Sequence, residues 1–205
     1  KAFHSATVFV FTLGLTEAWV SKIDGSVFPA CPGTISGEFD QTKHEFKNFT
    51  AAEVTEDLTS FIALLRKSNE QVRFIITVSP VPLVATATDS HVLLASTYSK
   101  SVLRVAAQQV SESVTGVTYF PAFEIVTGPQ APFEYFEADR RNVSEMAVAE
   151  VMKSLLFGLT SNEPDAETSS STRVKLKNSL GRRISEMSKR IARAECDEAM
   201  MDPDS

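Results

Sequence analysis

Residues 7–13, Thr-Val-Phe-Val-Phe-Thr-Leu, form an unbroken β-branched and aromatic run, and the chain opens almost directly on it. Such a run predicts a strand buried on both faces of a sheet. It stops at Gly14-Leu15-Thr16-Glu17-Ala18-Trp19, where a glycine and polar groups mark a strand end. A second run, residues 72–78, is halted by Ser79-Pro80-Val81-Pro82, because proline brings no ladder donor. A third covers 117–120, with 123–126 as a candidate strand extension. Helical spacing fills the intervals. Thr50-Ala51-Ala52-Glu53 is a capping box, and Val54, Leu58, Phe61, Ile62 and Leu65 then fall on one face. A helix over 90–110 is expected to turn Leu94, Tyr98, Val102, Val105 and Ala106 inward. A last one, over 144–157, buries Val148, Val151, Met152, Leu155 and Leu156. Strands alternating with helices predict right-handed crossovers and a parallel sheet, hence an α/β fold.

Two stretches do not fit this alternation. Residues 20–49 carry Asp24-Gly25, Pro29, Pro32-Gly33 and Gly37 with spaced phenylalanines 28, 39, 46 and 49. They read either as a lid or binding loop containing a small hairpin, or as a surface excursion pinned by its aromatic rings. Beyond 158, residues 159–171 form an acidic, Ser-rich linker without apolar period, expected to be disordered. Residues 172–205 form a basic tail in which Leu180, Ile184, Met187, Ile191 and Ala194 follow helical spacing. That amphipathic helix is expected to dock loosely on the acidic body, to bind a protein partner or self-associate, or to lie on a membrane surface. Residues 1–158 are the domain proper. Because a domain rarely opens on a central strand and residue 1 is Lys, the chain reads as a fragment.

Composition narrows the function classes. Residues 1–160 hold 12 Lys and Arg against 17 Asp and Glu, an acidic body that argues against a nucleic-acid partner. Cys31 and Cys196 offer neither a disulfide framework nor metal spacing, so a reducing, cytoplasmic setting is expected. Residues 7–15, the longest apolar stretch, are about half of what a membrane helix needs, so no transmembrane segment is expected.

In open parallel sheets ligands collect outside the carboxyl ends of the strands. The groups expected there are Gly14, Thr16, Glu17, Trp19, Ser79, His91, Glu124, Asp139, Arg140, Arg141 and Asn142. No glycine-rich phosphate loop, zinc spacing or nucleophile elbow is present, so neither cofactor nor metal is expected. FTLGLTEAW at 11–19, DGSVFPACPG at 24–33, ITVSPVPLVAT at 76–86, HVLLASTYSKSVLRVAA at 91–107, YFPAFEI at 119–125 and FEADRRNVSEMAVAEVM at 136–152 resemble the GSCFA family of bacterial proteins. That family is akin to the SGNH/GDSL esterases and acyltransferases.

The resemblance implies a three-layer α/β/α sandwich with a parallel, flavodoxin-like sheet of SGNH type, incomplete at the N-terminus. It also implies a serine nucleophile in a Gly-Ser-Cys-Phe-Ala segment ahead of Lys1. The expected activity is that of an acyl esterase or O-acyltransferase on a glycan or small-molecule ester, in the setting of polysaccharide chemistry. The alternative is a catalytically silent domain that binds a carbohydrate or protein associated with glycan assembly. Thr16 stands where SGNH enzymes carry their oxyanion-holding Asn, and Asn142 where the final His is expected. His91 is then the substitute base and Asp139 its orienting carboxylate. Gly14, Glu17, Trp19, Ser79, Arg140, Arg141 and Asn142 are expected to line the substrate site.

Overall fold

The computed structural model describes residues 2–160, apart from residue 36. The chain divides into two compact units, residues 1–123 and 124–205, and each is described by itself. After a short helix α1 (Ala2–Ser5), the first unit runs β1 (Val8–Leu13), β2 (Glu17–Ser21), β3 (Val27–Phe28), β4 (His44–Asn48), α2 (Ala51–Arg66), β5 (Arg73–Val78), α3 (Val92–Ser113) and β6 (Val117–Tyr119).

The three apolar runs make one parallel sheet in the order β1-β5-β6. Val8 to Leu13 pair with Arg73 to Val78, and Phe74 to Ile76 with Val117 to Tyr119. The architecture is thus mixed α/β, with a parallel sheet flanked by helices, as the alternation predicts. Helices α2 and α3, in the β1–β5 and β5–β6 connections, lie on the same face, as the right-handed crossover rule expects of two successive crossovers in one direction. There Leu13, Phe74, Ile76 and Val78 pack with Leu58, Ile62 and Leu65 of α2 and Leu103, Ala107 and Val110 of α3. The capping box forms as expected: the Thr50 hydroxyl accepts the Glu53 N–H, and the Glu53 carboxylate accepts the Thr50 N–H.

Three expectations are corrected. The strand buried along most of its length is β5, whereas Val10 and Phe11 of β1, which has a strand neighbour on one side alone among the described residues, are exposed. On α3 the phase differs: Leu94, Tyr98 and Val105 are 68, 44 and 47 % exposed, and the inward stripe is Ala95, Ser99, Val102, Leu103, Ala106, Ala107 and Val110. Residues 123–126 are helical, within α4 (Ala122–Thr127), instead of extending β6. Pro121 precedes that helix with a preset φ and no N–H to satisfy, and Gly128 N–H closes it on the Glu124 carbonyl.

Residues 17–48 contain a second sheet, antiparallel, in the order β3-β2-β4. Trp19 is paired with Phe28 and Phe46, and its ring meets Phe39 at 5.1 Å and Phe46 at 5.7 Å edge-on. Between the strands lies an apolar cleft of about 360 Å³ lined by Phe28, Pro29, Cys31, Pro32, Ile35 and His44.

In the second unit α5 (Glu145–Thr160) buries Val148 and Met152, with Val151, Leu155 and Leu156 half-buried. Residues 159 and 160 complete that helix; the rest of the expected linker and the basic tail lie outside the described residues.

Candidate functional site

One turn of α3 organises the strand ends. Ser96, Ser99 and Lys100 are spaced at i, i+3 and i+4, which puts them on one helix face, and all three are buried. The Leu83 N–H donates to Ser96 Oγ at 2.9 Å, fixing the segment after β5. The Thr16 N–H donates to Ser99 Oγ at 2.9 Å, and Lys100 Nζ donates to the Gly14 carbonyl at 2.6 Å, fixing the turn after β1. Lys100 is 6 % exposed, and its partner is a neutral carbonyl. Desolvation therefore lowers its pKa to about 8.

Around this turn the sequence-predicted residues have defined partners. Thr16 is 1 % exposed, and its hydroxyl donates to Asn48 Oδ1 at 2.6 Å while its carbonyl accepts the Phe49 N–H. Glu17 opens β2, and its carboxylate accepts the Thr86 hydroxyl at 2.6 Å and the Ala87 N–H at 3.3 Å, tying down the loop before α3. The Ser79 N–H continues the ladder to the Leu13 carbonyl, and Ser79 Oγ accepts the Val81 N–H at 3.2 Å. Trp19 belongs to the aromatic cluster of the small sheet. Gly14, Thr16, Glu17 and Ser79 are thus brought into one bonded neighbourhood.

His91 is the N-cap of α3, exposed, with Nδ1 accepting the Leu93 N–H at 3.2 Å. With Nδ1 accepting, the neutral ring carries its proton on Nε2. Service as a base requires the ring to leave the cap.

Asp139, Arg140, Arg141 and Asn142 form a local cluster in the second unit. Asp139 accepts the backbone N–H groups of Arg141 and Asn142, both at 2.9 Å, and the Asn142 side-chain amide at 2.6 Å. The Arg141 N–H, followed by the Asn142 N–H, holds its carboxyl below the usual carboxylate range. Arg140 adopts φ 60°, donates to the Phe133 carbonyl and lays its guanidinium 3.6 Å from the Phe133 ring centre. Arg141 Nε is buried with no hydrogen-bond partner among the described residues. Glu124 lies half-buried in α4.

Sequence reasoning missed Ser96, Ser99, Lys100 and Asn48. The signal for the first three was a Ser-x-x-Ser-Lys pattern interrupting the stripe that runs from Ala95 to Val110. Among the described residues no three His, Cys, Asp or Glu side chains converge to hold a metal ion, and no helix is long and apolar enough to cross a membrane. No curated protein and no solved structure matches the chain. The GSCFA family model matches residues 1–155, and with the long ordered motifs that lead to the same place, this chain belongs to the GSCFA family.

Proposed function

We propose that this domain takes part in SGNH-type acyl-ester chemistry, hydrolysing or transferring an O-acyl group on a glycan or small metabolite. The observation that carries the reading is the turn of residues 14–16 at the carboxyl end of the parallel strands, held by buried Ser99 and Lys100. Ligands of open parallel sheets collect at such ends. A turn whose peptides cannot reorient is also what preorganised stabilisation of an oxyanion demands. The nucleophile of the scheme is the serine of the Gly-Ser-Cys-Phe-Ala segment that names the family; residues 1–205 contain no such segment. Its hydroxyl adds to the ester carbonyl as a base takes the proton. The tetrahedral oxyanion collapses with loss of the alcohol, and water or an acceptor hydroxyl then takes the acyl group from serine. His91, at the N-cap of α3, is the base of this scheme.

The test is turnover of simple aryl acetates by full-length protein, wild type against His91→Asn and His91→Ala. Asparagine preserves an N-cap but cannot accept a proton near neutral pH. Loss of about a hundredfold or more in kcat with an unchanged melting temperature in His91→Asn is the expected result. Equal rates remove His91 from the chemistry, leaving its role as the helix cap.

A second reading is a catalytically silent domain that binds a carbohydrate or protein partner. It is favoured by Asn142, which stands where the family resemblance expects a base and instead completes the hydrogen bonding of Asp139. Absence of turnover in the wild type across several acyl esters decides for this second reading.

A further inference from the structure

Three successive backbone groups in the turn after β1 have unlike fates. The Gly14 carbonyl receives the Lys100 ammonium, and the Thr16 N–H is donated to Ser99 Oγ. Between them, the Leu15 N–H has no acceptor among the described residues. The Thr16 side chain, the group aligned with an oxyanion-holding amide, has its single O–H committed to Asn48. Leu15 is 52 % exposed, and a Cβ placed on Gly14 would meet nothing within 4 Å. The turn is therefore open to an approaching acyl group.

The Gly14 carbonyl and the Leu15 N–H belong to the same peptide unit. A cation on the carbonyl oxygen draws electron density from the nitrogen through amide resonance, so the N–H becomes a stronger donor. The effect is largest where water does not screen the cation, and Lys100 is nearly wholly buried. Ser99 holds the next peptide in place, so the polarised N–H keeps its direction as negative charge develops on a substrate.

We infer that the Leu15 N–H, polarised by Lys100 through the Gly14 carbonyl, is the oxyanion donor of this turn in place of the Thr16 hydroxyl. This rests on the acyl-ester reading above. Lys100 is then a positioning residue: it acts on the donor and not on the substrate.

Full-length protein labelled with 15N-leucine tests it by two independent readouts. In Lys100→Met the Leu15 amide proton is expected to move upfield. The value of kcat for aryl acetates is expected to fall about tenfold with KM little changed, since the donor is weakened and not deleted; deleting one costs about 10² to 10³. Lys100→Arg, which keeps the cation, should restore most of both. Lys100→Gln, a neutral donor of smaller apolar surface, should lie between, and serves where Met at this position fails to fold. A Leu15 amide that does not move in Lys100→Met overturns the inference, as does one that moves while kcat stays at the wild-type value. No turnover by the wild type overturns the acyl-ester reading and the donor role with it. A displaced Leu15 resonance would then show that the chemistry failed and the polarisation did not.

Discussion

The two sheets of the first unit are held together by different forces. The parallel sheet is built around β5, whose residues from Phe74 to Val78 are all buried, and its stability is that of apolar surface withdrawn from water. In the antiparallel sheet β2 is half-buried throughout and β3 is two residues long. What fixes it are ring contacts around Trp19 and turns closed by side chains, such as Asp40 accepting the Thr42 N–H and hydroxyl. One region should fail globally and the other locally.

Phe74→Ala is the most severe way to break that contrast. Phe74 is 1 % exposed and packs on Phe9 and Phe61, so truncation should cost about 3–5 kcal/mol and lower the melting temperature of the whole domain. Trp19→Ala should cost less, about 1–3 kcal/mol, from two edge-on ring pairs and partial burial. Hydrogen exchange is its discriminating measurement: β2 and β4 amides should speed up while β5 amides stay protected. Acceleration of β5 to the same degree would show that the two sheets unfold together.

Smaller still is loss of the N-cap, about 1 kcal/mol for Thr50→Ala in denaturant unfolding. Acid probes the same cap from the other side. The Thr50 N–H, then Lys47 and the Thr50 hydroxyl, lower the Glu53 pKa to about 2 from 4.5, so its contribution is complete above about pH 4.5 and lost as pH falls towards 2. The Thr42 hydroxyl and N–H similarly lower Asp40 from 3.8 to about 2, so the small sheet loses its turn in nearly the same window. Circular dichroism of α2 and near-ultraviolet signals of Trp19 should therefore decay together below pH 4.5.

Stability rises with pH in the alkaline window too, so base strengthens the fold where acid weakens it. Lys100 has a folded pKa of about 8 against 10.5 unperturbed, so between these values the unfolded chain holds more protons and stability rises with pH. The melting temperature of the wild type relative to Lys100→Met should thus climb from pH 8 to pH 10, a modest effect that a flat difference would refute.

The same contrast explains what the sequence disclosed. A strand buried along its length is a continuous apolar run, so β5 and its parallel pairing were legible in residues 72–78. In β4, His44, Phe46 and Asn48 alternate with Glu45 and Lys47, a pattern whose charges read as loop. Helix α3 misled because apolar residues occur on both its sides. Its inward stripe contains Ser99, with Lys100 beside it, since that helix must satisfy backbone groups at the strand ends as well as fill a core. The candidate residues of the turn were legible as a strand end followed by polar groups. The group that holds the turn was not, because a lysine in sequence reads as solvent-facing until a carbonyl is found for it.

Thr16 is, in mechanical terms, a pivot. It ends the segment leaving β1, adjoins the first residue of β2, and is bonded to Asn48 and Phe49 at the end of β4. The three short strands are attached to the rest of the unit through that residue and, at Glu17, through Thr86 and Ala87. A load that passes from those strands through Thr16 meets, at the adjoining peptides, the hydroxyl of Ser99 and the ammonium of Lys100 as a brace.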